Sequence, residues 1–369
     1  MTSERPDIVR IIWISDTAPA GFTNDAGHFE HHRQASMRFR VGMPACALAA
    51  LGAESGFIGL DTPAVLEHLT PGRVDAVVFS KLSTPCGPTF DAFATAHLGT
   101  ADHARERGLA IVVDLVDNVF ATDRCDFFVQ LLARADAVTV ASEALAEVCR
   151  RHTRLPVHVV ADPVEGERRA PRFAPPRVPF LSRVGLTRTA ARALRLLWFG
   201  GQYRNFLHLA AVFPALSEFA AAHPVELVVV MSRDERLLQA LASARAAGFA
   251  TRFAEWSLAT VTEELERCDL VLLPTDVGNE MRAVASPNRV ARALWAGRMV
   301  IANPLPSYLE FRESALLTHE PADAIRWTLA HPGQTADRIR LGQQIVAARY
   351  SREAIGLRWH EVLGALRAR

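Results

Sequence analysis

Between Cys268 and Pro304 the chain reads as strand, polar loop, helix and strand, an order that restricts it to a parallel α/β sheet. Asp269 to Leu273 is a short apolar run of strand length, stopped by Pro274. The loop from Thr275 to Ala285 is polar and contains Gly278. Ser286 is expected to cap the following helix, with Pro287 at its first position, where a missing N–H costs nothing. Val290, Leu294 and Trp295 share one face of that helix, Gly297 ends it, and Met299 to Ala302 is the next buried strand. A helix N-terminus at the carboxyl edge of a parallel sheet gathers free N–H groups and the positive end of the helix dipole. Ser286, Asn288 and Arg289 add donors there, so the pattern predicts an anion, phosphate above all; the plain alternative is an ordinary capped helix.

The rest of the chain repeats this grammar twice. In the first half, strands are expected at Ile8–Ser15, Glu54–Leu60, Asp75–Ser80, Leu109–Leu115, Ala137–Ala141 and Val157–Ala161. Helices are expected at Glu30–Leu51, bent near Gly42-Met43-Pro44, and at Pro63–Leu69, Phe90–Gly108, Asp126–Arg134 and Ser142–His152. The stretch from Glu165 to Arg192 is rich in Pro and Arg and carries little periodicity. Beyond it the strands Leu194–Phe199, Val225–Met231 and Thr251–Phe253 alternate with helices Asn205–Ala222, Asp234–Ala247 and Leu258–Arg267. Helical segments near Ser307–Arg312, Ala322–His331, Thr335–Ala348 and Ser351–Ala368 close the chain. The expected organisation is a first domain over 1–170, a linker over 171–193, a second domain over 194–348 and a C-terminal helix over 349–369 that returns to the first domain.

At 369 residues and half apolar composition, two full cores fit. A formal net charge of +1 gives no case for nucleic acid or for a membrane surface through bulk charge. The five cysteines lack C-x-x-C spacing and read as small buried residues of a reduced, cytoplasmic protein. Met1 to Arg10 lacks a signal-peptide apolar region, and no apolar run is long enough to span a bilayer. Peripheral attachment at the inner membrane face through an amphipathic patch stays open.

Several pieces together resemble the GT-B glycosyltransferases, within them the large retaining group that includes glycogen synthases and bacterial mannosyl- and glucosyltransferases. They are A-D-A-V-T-V-A-S-E-A-L-A-E-V from Ala135, V-H-V-V-A-D-P-V-E from Val157, L-R-L-L-W-F-G-G-Q-Y-R-N-F-L-H-L from Leu194, E-W-S from Glu255, and the stretch that begins at Cys268. The resemblance covers about Leu109 to Tyr308. It implies an α/β fold of two Rossmann-like, doubly wound parallel-sheet domains facing each other across a cleft. It implies transfer of a sugar from a nucleotide-activated donor, as substrate rather than cofactor, to a glycan, lipid-linked or small-molecule acceptor, without a bound metal.

Residue by residue, the resemblance gives Gly200 and Gly201 a close approach to the donor phosphates. Arg204 stands where the family has a basic residue that neutralises the departing pyrophosphate, and Glu255 and Trp256 near where the base is held. Ser286, Asn288 and Arg289 stand at the phosphate-binding helix start. Where the family has two acidic residues eight apart, this chain has Val284 and Arg292. Arg cannot accept hydrogen bonds from a ribose diol, so either Glu280 or another carboxylate does that work, or the donor is held differently. In the first domain Asp114, Asp117 and Asn118 follow the fourth strand, and Asp117, just past its end, is the candidate for sugar binding or catalysis. In an inverting enzyme Asp117 or Asp25 could act as general base; a retaining one needs none. Gly27 would permit close approach to the donor from the loop Gly21–His28.

Other features have plainer readings. His28, His31 and His32 lack further ligands at metal spacing. Arg33, Arg38 and Arg40 read as a solvated helix face, with an anionic acceptor as the alternative. Lys81 is the one lysine in the chain, at the end of the third strand. That position makes a pyridoxal-dependent phosphorylase a poor fit. A nucleotide-sugar epimerase and a non-catalytic glycan- or partner-binding protein remain as alternatives.

Overall fold

The computed structural model describes residues 9–15, 22–59, 65–82, 89–174, 192–201, 203–246 and 248–367. Most of the expected linker, Gly21 and Cys86 lie outside the described residues. Contacts divide the chain into two compact units. The first comprises Met1–Pro163, Ala283–Ser286 and Ala348–Arg369, and the second Val164–Arg282 and Pro287–Ala347. By contact, Val164 to Ala170 group with the second unit, whereas spacing alone put them at the end of the first.

The first unit is built on a parallel sheet of β1 (Arg10–Ile14), β2 (Glu54–Ile58), β3 (Ala76–Ser80), β4 (Ala110–Leu115), β5 (Ala137–Val140) and β6 (Val157–Val159), in the order β2-β1-β3-β4-β5-β6. β3 and β5 are wholly buried, which is why they read as continuous apolar runs instead of alternating ones. The second unit pairs β7 (Leu194–Phe199), β8 (Val225–Met231), β9 (Ala250–Glu255), β10 (Leu270–Leu273), β11 (Met299–Ala302) and β12 (Leu316–Leu317), in the order β12-β11-β10-β7-β8-β9. Each sheet therefore reverses its winding once, between β1 and β3 in the first and between β7 and β10 in the second. Open α/β sheets bind ligands outside the carboxyl ends of strands at such reversals. This is the GT-B α/β fold that the resemblance implied.

Several elements differ from the expectation. The helix expected over Glu30–Leu51 is three pieces, Ala26–Glu30, Ala35–Met37 and Met43–Ala49, with a π-helical turn at Arg38–Gly42. A Cβ at Gly42 would fall 2.3 Å from the Glu30 nitrogen, so only glycine lets the first piece cross there. Arg38 and Arg40 are buried, at 1% and 0% exposure, and do not form a solvated face. The expected Asn205–Ala222 helix divides into Tyr203–Ala210 and Phe213–Ala222, with Pro214 in the first turn of the second piece. β9 runs longer than expected, and β12 carried too few residues to be read.

The C-terminal helix Arg352–Arg367 packs on Met43–Ala49 in the first unit. Trp359 meets Trp13 edge-on, with ring centroids 5.1 Å apart. Among the described cysteines, Cys149 and Cys268 are buried, as expected, and burial pushes each thiol up to about 12. Cys46 and Cys125 are only half-buried. Among the described residues no helix is long and apolar enough to cross a membrane.

Candidate functional site

In the second unit the winding reverses beside Phe199, the last residue of β7. Gly200 follows it, its N–H donating to the Val230 carbonyl at 3.0 Å. A Cβ there would strike the Trp198 ring at 2.7 Å, so the glycine fits beneath that indole. Gly201 is exposed and has open space around it. Arg204 lies in the first turn of the helix Tyr203–Ala210; its side chain lies outside the described residues. Arg289 reaches the same edge from the helix Asn288–Trp295, its Nη1 donating to the Phe199 carbonyl at 3.3 Å.

One turn beyond Arg204 is His208, a residue the sequence reading did not single out. Burial lowers its pKa below the ordinary imidazole value; Asp276 opposes this, while Arg282 and Arg289 reinforce it. Those three charges come from the loop and helices beyond β10, so the two strand ends at the reversal share one electrostatic neighbourhood. The signal was available: His208 stands four residues after Arg204, hence on the same side of one helix.

The loop after β10 is held by one bond from beyond β11 and by local bonds of its own. Thr275 N donates to Asn303 Oδ1 at 2.7 Å, and Gly278 N to Asp276 Oδ1 at 2.9 Å. Asn279 Oδ1 accepts from Met281 N at 3.0 Å and Arg282 N at 3.3 Å, capping the helical turn Glu280–Ala283. That turn fell inside the expected loop. Glu280 is exposed at its start. Glu255, exposed at the end of β9, accepts from Arg233 N at 3.4 Å, and Trp256 N donates to the Met231 carbonyl at 3.0 Å.

Ser286 does not cap the helix. Pro287 is the cap residue, with φ −77° and ψ 21°, and it makes no side-chain capping bond. The physical reason lies in the preceding residues, which group with the first unit. There the Ser142 hydroxyl donates to the Val284 carbonyl at 2.9 Å, and Val284 is 3% exposed in that unit's core. Ser286 Oγ is buried and has no hydrogen-bond partner among the described residues. Asn288 opens the helix half-buried.

Arg292 has its own carboxylate. Its Nη1 donates to Glu165 at 3.0 Å, and Nη2 to the Leu258 carbonyl and Thr262 Oγ1, each at 3.3 Å. The helix ends at Gly297, with φ 73°, where a Cβ would fall 2.2 Å from the Ala170 carbonyl oxygen. Arg169 N and Arg172 N bond the Trp295 and Gly297 carbonyls at 2.9 and 3.0 Å. The segment that carries Glu165 is thereby fixed along this helix.

In the first unit the edge is dominated by Asp114, at the end of β4. It is 3% exposed and accepts from Arg40 Nε at 3.1 Å, from Arg40 Nη2, from Ser80 Oγ at 2.7 Å and from Thr139 Oγ1 at 2.7 Å. Arg40 Nη1 also donates to the Val160 carbonyl at 2.6 Å and to Asp162 at 3.1 Å. Burial opposes Arg40's charge, but Asp114 and Asp162 outweigh it and raise its pKa. The network ties the carboxyl ends of β3, β4, β5 and β6 to the π-helical turn.

Asp117 stands free of that network, exposed just past β4. It lines a cavity of about 30 Å³ with Phe79, Lys81, Leu82, Asp114 and Val119. Asn118 is 6% exposed, and its Oδ1 has no hydrogen-bond partner among the described residues. Lys81, at the end of β3, has φ 52°, and among the described residues other than glycine it alone is left-handed. Such a conformation costs roughly 1–2 kcal/mol in a residue with a Cβ. The N–H of Gly27 is taken by Asp25, whose Oδ1 accepts it at 3.0 Å and that of His28 at 3.3 Å. His28 and His32 rings lie 6.4 Å apart, and among the described residues no three His, Cys, Asp or Glu side chains converge as a metal site.

No protein-family profile and no curated protein sequence matches this chain. Solved structures do. Anabaena Alr3699/HepE, in a complex with UDP, is 13% identical over 97% of this chain and 100% of its own, with a TM-score of 0.66. OtsA is 13% identical over 96% and 99%, with a TM-score of 0.62. AviGT4, a glycosyltransferase involved in avilamycin A biosynthesis, is 14% identical over 98% of both chains, with a TM-score of 0.59. The chain thus has the GT-B fold of these glycosyltransferase structures along nearly its whole length.

Proposed function

We propose that the protein is a glycosyltransferase that moves a sugar from a nucleoside diphosphate sugar to a glycan, lipid-linked or small-molecule acceptor. The observation that carries this reading is the cluster at the second unit's reversal. There a glycine-lined strand end meets Arg289, and His208, Asp276 and Arg282 share its field. The occupied nucleotide complex of HepE, which carries UDP, supports uridine diphosphate as the leaving group. Departure of a diphosphate places negative charge where fixed cations and N–H groups stabilise it most. Gly200 and Gly201 would let the backbone approach the phosphates, while Arg204 and Arg289 would neutralise them without a metal. Within the second unit, Asn288 would add a donor, and Glu255 and Trp256 would meet the base.

The Glu165 ion pair occupies Arg292, so Glu280, exposed on the loop after β10, is the proposed acceptor of the ribose hydroxyls. Asp117 is proposed to meet the acceptor or transferred sugar in the first unit, as general base if the configuration inverts.

A thermal-shift panel of nucleotides tests the reading, because a ligand that binds only the folded chain stabilises it. UDP should raise the melting temperature; silence towards every nucleoside mono- and diphosphate would sink the proposal. Arg204→Ala should weaken UDP binding about tenfold or more at unchanged fold, the scale of a lost charge-assisted contact. Equal UDP affinity would remove Arg204 from the site.

A further inference from the structure

The first unit's winding reverses between β1 and β3, and the residue just past β3 at that point is Lys81. Ser15, just past β1, points its hydroxyl to the Lys81 carbonyl at 3.5 Å, so both strand ends meet there. Three independent observations converge on this side chain. It is the one lysine among 41 lysines and arginines. Its backbone is left-handed where glycine would be at ease, and such outliers persist where surroundings and function impose them. It lines the cavity with Asp117, yet among the described residues no carboxylate lies within ion-pair distance of its ammonium. Neighbouring Asp114 has no capacity to spare, since Arg40, Ser80 and Thr139 already engage both of its oxygens. A half-buried cation at a sheet's ligand edge, with no ion-pair partner among the described residues, is complementary to an anion from outside.

We propose that Lys81 anchors an anionic group, a carboxylate or a phosphate, carried by the acceptor. Asp117, on the same cavity, then faces the acceptor's neutral hydroxyl region. The acceptor class narrows to acidic sugars, glycosyl phosphates or phospholipid headgroups. This assignment of acceptor rests on the transferase reading, but the site itself can be tested without any transfer.

Because there is one lysine, reductive methylation with ¹³C-formaldehyde places one dimethylammonium signal on Lys81 and another on the chain's α-amine. Lys81→Arg identifies the first by removing it. Titration with inorganic phosphate and, separately, glucuronate should move the Lys81 signal saturably in the millimolar range, with methyl glucoside leaving it in place. A response to phosphate alone assigns a phosphoryl group, and to glucuronate alone a carboxylate. Lys81→Gly, which suits the left-handed backbone, should melt at or above the wild-type temperature and lose the anion-induced rise in melting temperature. It should keep its response to UDP, which separates failure here from failure of the donor reading. A Lys81 signal that follows neither anion, or moves only as the α-amine does, overturns the proposal. So does a Lys81→Gly protein that retains the anion-induced rise or melts well below wild type.

Discussion

The two carboxyl edges are made from the same alternation of strand and helix, yet they use charge in opposite ways. At the first unit's edge Arg40, Asp114 and Asp162 are almost fully buried and satisfy one another, with Ser80 and Thr139 filling the remaining acceptor positions. At the second unit's edge Arg289 is half-buried, Gly201 is bare and Asp276 is exposed. A buried charge with complete internal partners is architecture, because removing it from water is offset only while the set is whole. A partly exposed charge beside glycine is what a ligand can still reach. The comparison separates Asp114, which is chemically attractive and fully occupied, from Asp117, only three residues on and free of that network.

The largest effect expected from breaking this contrast is at Asp114. Asp114→Ala leaves the buried Arg40 with the Asp162 carboxylate and the Val160 carbonyl, and should destabilise the first unit by about 3–5 kcal/mol. Hydrogen exchange should quicken in β3, β4 and β5 and stay slow in β7 and β8; uniform or absent acceleration would refute the architectural role. Next is Arg292→Ala, which removes the ion pair to half-buried Glu165 and should cost the second unit about 3 kcal/mol in denaturant unfolding. Replacing both residues by Met should cost less than that single change. A double variant that is as unstable as the sum of the singles would show the pair to be uncoupled.

These sites were unequally legible in the sequence. β7, β8 and β11 could be read to the residue, because buried parallel strands are continuous apolar runs bounded by Gly or Pro. Gly200, Gly201 and Arg289 could be placed near a strand end for the same reason. The burial of Arg38 and Arg40 could not, since it depends on a π-helical turn and on carboxylates 74 and 122 residues away in the chain. The partner of Arg292 was equally hidden, 127 residues back in a segment without periodicity. Ser286 misled because its spacing suits a cap, while the fixing of Val284 by Ser142 decides where the helix begins.

The smallest expected effect sharpens the second edge. His208 has a lowered pKa through burial first and through Arg282 and Arg289. The folded state therefore prefers the neutral ring, and the unfolded chain takes up the proton first as pH falls. Stability is full above about 6.5, the ordinary imidazole value, and declines below it. His208→Gln should flatten the fall in melting temperature between pH 7 and pH 5.5. Superimposable profiles for the two proteins would remove His208 from that electrostatic set.

The pairing of Trp13 with Trp359 bears on how the chain comes into being. On the ribosome, β1 emerges before the second sheet, but the helix that covers Met43–Ala49 is translated only after that entire sheet. The first unit is thus begun early and sealed late, with its apolar flank open while the second unit folds. Nascent-chain collapse there is the hazard that chaperones would meet, and a shortened chain lacking Arg352–Arg367 would keep that flank exposed for good.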